Sequence, residues 1–153
     1  MGLDSPWVRK EKSMTDEDVR WKQRFSNYKK AHGRFRDTSA FFEKNRSGVA
    51  VFVAMEALIK CFEFTFELAW QTMKDYIAYQ GYVKDIHGSR DSLRAAQQFD
   101  LISNGQLWID MIDDRNRATH AYDEESAVFL VNRITKYYSG EFAKFEEKME
   151  GFL

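Results

Sequence analysis

The sequence predicts an all-α protein, arranged as an antiparallel up-and-down four-helix bundle with an additional short helix. Several segments repeat apolar residues at spacings of three and four, which is typical of one face of a helix. No segment sustains the two-residue alternation of a strand. The 153 residues are 44% apolar and 31% charged, a balance typical of a globular domain with its own core.

The first predicted helix begins at Thr15, a hydroxyl cap that is followed by three acidic residues in the first turn. Its apolar face repeats at spacings of four and three through Trp21, Phe25, Tyr28, His32 and Phe35. Gly33 lies near the expected end. We therefore predict a loop over residues 34–47, which are mixed and polar.

The second predicted helix, from Gly48 to Gln80, carries the clearest pattern in the chain. One narrow stripe is polar and consists of Glu56, Lys60, Glu63, Glu67 and Lys74. The opposite face is apolar from Phe52 to Ile77, and Gly81 is a natural stop. A helix with so narrow a polar stripe is buried on more than one side, which predicts contact with a second subunit.

The sequence after Gly81 predicts one short helix and two longer helices. Ser89 is the expected cap of a short helix over Arg90–Phe99, after a linker over residues 82–88. A helix then begins at about Gln106, after the Asn104-Gly105 turn, and runs to or near Tyr122. Asp123 caps the last helix, in which Ser139-Gly140 is a candidate kink.

Composition limits the classes of function. The net charge of −1 excludes a basic field over the whole fold. Cys61 is the single cysteine, so no intramolecular disulfide can form, and no spacing suits a metal site. Without an apolar span or a signal peptide, we expect a cytoplasmic protein with no membrane contact. We expect a tail over residues 1–14 and a single helical-bundle domain over residues 15–153.

The stretch Arg115–Tyr122 is the candidate functional segment. Arg115 and Tyr122 continue a helical stripe that is apolar at its start, and Asn116 and His120 form an i, i+4 pair if the helix persists. Arginine suits phosphate, and histidine exchanges a proton near neutral pH. Together they could bind a phosphodiester and move the proton of a ribose 2′-hydroxyl without a metal.

A structural interpretation competes with this chemistry. Arg115 could pair with Asp113, Asp114 or an acid on a neighbouring helix, and His120 could interact with the carbonyl end of its helix. Spacing alone favours this structural interpretation. The aromatic run Phe62, Phe64, Phe66 and Trp70 could likewise form a base-stacking platform, although packing in the core or in a dimer suits its spacing better.

Two runs resemble the nucleotidyltransferase substrate-binding protein family. The first is Phe62–Trp70, followed by Met73–Tyr76 and Gly81, and the second is Trp108–Met111 with Asp114–Asn116 and His120–Asp123. The family lies in the HEPN superfamily, alongside the HepT-like toxins, and the resemblance covers about Val19 to Phe145. One departure is Gly88-Ser89-Arg90, which stands where the family commonly has Ser-Pro-Arg.

The resemblance implies a helical bundle, usually a homodimer, that partners a minimal nucleotidyltransferase. Arg115 and His120 match the ribonuclease pair of the superfamily, and Asn116 matches the polar residue that often follows the arginine. Two copies of this motif would meet in a shared cleft. Tyr122 matches the tyrosine that receives AMP in the HepT branch, where the added phosphate would place negative charge beside Arg115.

The same resemblance suggests contact residues and three functions. Glu63, Glu67, Phe64 and Trp70 are candidates for partner or dimer contact. The first hypothesis is the substrate-binding subunit of a two-component system with a nucleotidyltransferase. The second is a metal-independent ribonuclease toxin that this nucleotidyltransferase neutralises, with RNA or a nucleotide as ligand. The third is a structural helical dimer. No cofactor is expected.

Overall fold

The computed structural model describes residues 15–82 and 85–153, and it is helical over most of these ranges. The predicted tail over residues 1–14 lies outside them. The elements are α1 (Asp16–Lys44), α2 (Ala50–Tyr79), α3 (Gly88–Gln98), α4 (Gly105–Ala118), α5 (Glu124–Arg133), a π-helical turn (Ile134–Tyr138) and α6 (Ser139–Glu150). The described residues contain no strand, so the all-α prediction is confirmed.

The helices run up and down, as the contacts between them show. Trp21 near the start of α1 meets Tyr76 near the end of α2, and Thr38 meets Cys61, so the two helices are antiparallel. Helix α6 is antiparallel to α1, because Lys29 pairs with Glu150 and Phe35 contacts Phe142. Helices α5 and α6 continue each other through the π-helical turn. Four long helical columns and the short α3 therefore form the predicted bundle.

The prediction that the first helix ends near Gly33 is wrong. Helix α1 continues to Lys44 and is capped by Asn45. Gly33 lies inside the helix, while the buried stripe continues beyond it to Phe35 and Phe42. Burial of that stripe against α2 and α6 outweighs the small helix penalty of one glycine. The turn that needs a glycine comes later, at Gly48, whose φ is +89°.

Two other predicted helix boundaries also need correction. Helix α3 begins at Gly88, so Ser89 lies inside the helix and does not cap it; the carboxylate of Asp91 accepts a hydrogen bond from the His87 backbone N–H instead. Helix α4 ends at Ala118, four residues before Tyr122. The condition for an i, i+4 pairing of Asn116 with His120, that the helix persists to Tyr122, is therefore not met, since His120 lies in a turn that leads to the Asp123 cap of α5.

The core is dominated by aromatic rings contributed by α1, α2, α4 and α6. Trp108 contacts both Phe142 and Phe145 edge-on, and the Tyr28 hydroxyl donates a 2.7 Å hydrogen bond to the Phe142 carbonyl. That carbonyl and hydroxyl satisfy each other inside the core, as buried polar groups must. The last helical column consists of α5 and α6 with the π-helical turn between them. This turn ends directly before the predicted kink at Ser139-Gly140.

The outward face of α2 leaves large apolar side chains uncovered. Phe52, Val53 and Phe64 are all exposed, although Met55, Phe62 and Phe66 of the same helix are buried. This distribution is consistent with the second contact surface that the narrow polar stripe predicts. Contact with a second subunit itself stays a prediction. No helix within the described residues is long and apolar enough to cross a membrane.

Candidate site at the end of helix α4

Arg115 lies on the side of α4 that faces α2, where it meets an acid of that helix. Its Nη1 donates a 3.0 Å hydrogen bond to Oε2 of Glu67 and its guanidinium lies 5.4 Å from the ring centre of Phe66. The same Glu67 oxygen accepts a 3.0 Å hydrogen bond from Nε1 of Trp70. The structural alternative for Arg115, an acid on a neighbouring helix, is therefore present, and the acid is one of the predicted contact residues.

This cluster is open to solvent. The side chains of Arg115 and Glu67 are 27% and 42% exposed, so water competes for both partners. An ion pair in such a setting contributes little to stability and exchanges readily for another partner. A phosphate could therefore replace Glu67 as the acceptor for the Arg115 fork without unfolding the helix.

The preceding residue, Asp114, lies in a different environment. Its carboxylate is 4% exposed and accepts a 2.6 Å hydrogen bond from Nε of Arg133 and a short one from the Tyr138 hydroxyl. Burial, and then the hydrogen bond to Asp114, raises the pKa of Tyr138 above its ordinary value. The hydrogen bond that Arg133 donates to Asp114 likewise raises the pKa of Arg133. This cluster holds the end of α4 against α5 and the π-helical turn.

A local pattern in the sequence indicates that Asp114 faces inward. Leu107, Met111 and Asp114 follow the same helical spacing, so Asp114 continues a line that packs inward. Its partners, Arg133 and Tyr138, lie nineteen and twenty-four residues away along the chain. No local pattern joins residues at those separations, and only the packing of α4 on α5 brings them together.

The other candidate residues lie at the exposed end of α4. Asn116 and His120 are exposed, and Tyr122 is 86% exposed in the turn before α5. The ring centres of His120 and Tyr122 are 6.5 Å apart. Within the described part of the chain, no hydrogen bond or ion pair joins Arg115 to His120. One copy of the chain thus presents the histidine and the tyrosine together in the turn after α4, while the arginine pairs with Glu67 of α2.

The four predicted contact residues divide into two groups. Glu67 and Trp70 belong to the Arg115 cluster. Phe64 is 57% exposed on the outward face of α2, with the Lys60 ammonium 5.5 Å from its ring centre. Glu63 is partly exposed. All four side chains are reachable from outside the domain, which a contact surface requires.

Comparisons with known proteins agree with the family that the sequence resembles. A family model described as nucleotidyltransferase substrate binding protein like matches residues 23–151. A probable ribonuclease HepT from Haemophilus influenzae is 33% identical over 82 residues, and the match spans about half of each protein, 52% of this chain and 56% of the relative.

A solved structure from Haemophilus influenzae has the same fold. It is described as the fold of a substrate binding domain of a nucleotidyltransferase, and it matches with a TM-score of 0.74 and 24% identity. The match covers 82% of this chain and 98% of the solved one. Since the family model spans most of the chain, this protein belongs to the nucleotidyltransferase substrate binding protein-like family.

Proposed function

We propose that this chain is the substrate-binding subunit of a two-component system with a minimal nucleotidyltransferase, and that it acts in the cytoplasm as a homodimer. The observation that carries this proposal is the family match over residues 23–151. The uncovered apolar side chains on the outward face of α2 supply a surface for either a second copy or the partner.

Tyr122 is the proposed acceptor of the nucleotidyl group. Its side chain is 86% exposed in a turn, so the active site of another protein can reach the hydroxyl without unfolding a helix. In the proposed step, Oη of Tyr122 attacks the α-phosphorus of ATP and forms an O–P bond. The bond from the α-phosphorus to the bridging oxygen breaks, pyrophosphate leaves, and the phenol proton passes to a base of the nucleotidyltransferase or to water.

Intact-mass analysis tests this assignment after the chain is mixed with its nucleotidyltransferase and ATP. We expect the mass to rise by at least one adenylate, and Tyr122→Phe to abolish that increase. Tyr137→Phe is the matched control, because Tyr137 is also an exposed tyrosine but lies on the π-helical turn. An unchanged mass for the native chain, or equal modification of the Tyr122→Phe variant, would exclude Tyr122 as the acceptor.

A ribonuclease toxin is the second candidate function, favoured by the match of Arg115 and His120 to the ribonuclease pair that the resemblance implies and by similarity to the probable ribonuclease HepT. In this reaction His120 accepts the proton of a ribose 2′-hydroxyl, whose oxygen attacks the adjacent phosphorus. The bond to the 5′-oxygen breaks, a cyclic phosphate forms, and the leaving oxygen takes a proton. Arg115 would stabilise the charge on the phosphorus oxygens, and Asn116 would orient the phosphate.

In this mechanism the proposed dimer would bring an arginine and a histidine together. No hydrogen bond or ion pair among the described residues joins Arg115 to His120, so a shared cleft could combine the arginine of one copy with the histidine of the other. Cleavage of RNA in the presence of EDTA tests the reaction. We expect Arg115→Ala and His120→Ala to lose activity, while Arg117→Ala, an exposed arginine of the same turn, retains most of it. Equal cleavage by all three variants would refute the mechanism.

A further inference from the structure

A groove between α1 and α2 has the properties of a ligand site. Its volume is about 730 Å³, within the range of about 300–1,000 Å³ that small-molecule sites occupy. Ala31 of α1 and Ala57 of α2 leave the space between the helices open, and Leu68 and the exposed Phe64 form apolar walls. Such a groove would accept a flat apolar group beside the Phe64 ring.

The rim of the groove is positively charged and uncompensated. Lys30, Arg34 and Lys60 line it, and none of them forms an ion pair with any residue in the ranges 15–82 and 85–153. Cations on other faces of α1 do have partners: Arg24 pairs with Asp75 at 2.9 Å, and Lys29 pairs with Glu150 at 2.7 Å. Among the described residues these three cations have no ion-pair partner, although the Lys60 ammonium lies 5.5 Å from the centre of the Phe64 ring; such a set around an apolar groove favours a ligand that is anionic at one end and apolar at the other.

The single acid in the groove wall connects it to the candidate site. Glu67 lines the groove and also accepts the hydrogen bond from Arg115. An anionic ligand in the groove would repel this carboxylate and attract the Arg115 guanidinium, which is already partly exposed. Occupation of the groove would therefore weaken the hydrogen bond between Arg115 and Glu67.

We infer that this groove binds a nucleoside phosphate, with the base against Phe64 and the phosphate among Lys30, Arg34 and Lys60. The inference rests on the proposed function and deepens it, because it names the substrate class that the subunit holds. Aromatic stacking and three cations together suit a nucleotide better than an aliphatic anion, which would gain nothing from a ring face.

Titration calorimetry of the full chain tests the site with four separate probes: AMP, inorganic phosphate, adenosine and decanoate. We expect saturable AMP binding with a micromolar Kd, and binding weaker by at least about tenfold for phosphate and for adenosine, since each lacks one half of the recognition. Decanoate carries an anionic head on an aliphatic chain. Decanoate binding as tight as AMP binding would overturn the nucleotide assignment.

Substitutions then locate the bound AMP. The double variant Lys30→Glu/Arg34→Glu should weaken AMP binding by about a hundredfold, and Phe64→Ala by about tenfold. Arg20→Glu and Phe41→Ala are the matched controls, since both residues are exposed on α1, outside the groove. We expect both controls to bind AMP like the native chain. Equal binding by the groove variants and the native chain would place any bound AMP elsewhere and overturn the inference.

Co-purification with the nucleotidyltransferase separates this inference from the proposed function. If the partner binds the native chain but AMP does not, the groove inference fails and the partner function stands. If AMP binds in the groove but the partner neither binds nor modifies the chain, the proposed function fails alone. Loss of partner binding in Phe64→Ala, with no AMP binding to the native chain, would identify the groove as a protein-docking surface and overturn the inference.

Discussion

Two arginine–carboxylate pairs flank the junction of α4 with its neighbours, and they differ in the burial of the carboxylate, since the two arginine side chains are similarly exposed at 28% and 27%. Asp114–Arg133 joins α4 to α5, has a nearly inaccessible carboxylate, and includes the Tyr138 hydroxyl. Glu67–Arg115 joins α4 to α2, and both of its side chains are partly exposed. Asp114 and Arg115 are adjacent residues of one helix. Asp114 belongs to a closed cluster, which is buried, and Arg115 belongs to an open cluster, which is exposed to solvent.

The difference in burial between the two carboxylates indicates that the two pairs have different roles. A buried charge that loses its partner is costly, so the Asp114 cluster resists change and holds the end of α4 in place. An exposed pair exchanges partners at little cost, so Arg115 remains available to a phosphate. The buried Asp114 cluster thus fixes the end of α4 and the backbone position of Arg115. The exposed pair with Glu67 leaves the Arg115 guanidinium able to change partners.

Asp114→Ala should have the largest effect on stability. It removes the buried carboxylate that accepts hydrogen bonds from Arg133 Nε and the Tyr138 hydroxyl, and leaves Arg133 with the more distant Asp110 carboxylate at 3.8 Å, so we expect the free energy of unfolding to fall by about 3 kcal/mol. Denaturant unfolding measures the change. Asp113→Ala is the matched control, because Asp113 is an exposed neighbour, and its effect should stay within about 0.5 kcal/mol. Equal effects of the two variants would show that the Asp114 cluster is not structural.

Tyr138→Phe should have the next largest effect, about 1–2 kcal/mol near neutral pH, because it removes one hydrogen bond to a buried carboxylate. It should also change the response to alkali. The raised pKa keeps Tyr138 protonated in the folded chain above about pH 10, where the unfolded chain loses the proton, so stability falls as the pH rises. The native chain should therefore lose stability more steeply than Tyr138→Phe, by up to about 1.4 kcal/mol per pH unit.

A double-mutant cycle on each pair measures the contrast directly. We expect a coupling energy below about 1 kcal/mol for Glu67–Arg115 and at least about 2 kcal/mol for Asp114–Arg133. The cycle for Glu67–Arg115 uses Glu67→Gln and Arg115→Gln. The cycle for Asp114–Arg133 uses Asp114→Asn and Arg133→Gln. Equal coupling energies would remove the distinction between an open and a closed cluster.

Tyr122→Phe should have the smallest effect on folding. The side chain is almost fully exposed, so the free energy of unfolding should change by less than about 0.5 kcal/mol. The same variant should abolish modification by the nucleotidyltransferase. A large loss of stability would mean that Tyr122 has a structural role, and the absence of modification would then no longer identify it as the acceptor.

The sequence by itself determined the fold class, the apolar faces of the helices and the segment at Arg115–Tyr122. These features depend on local spacing, and in a helix local spacing decides which residues share a face. Local signals misplaced several helix boundaries, however. Gly33 indicated the end of α1, although burial of Phe35 and Phe42 extends that helix to Lys44.

Only the tertiary structure decided which partners the candidate residues have. The pairing of Arg115 with Glu67 and of Asp114 with Arg133 joins residues far apart in the chain, and the α1–α2 groove brings Lys30 and Arg34 to the same cavity as Lys60. The end of α4 at Ala118 likewise leaves Arg115 in the helix and His120 in the turn that follows it. Such contacts depend on how the helices pack and where each one ends, and no periodicity within a single helix encodes either of them.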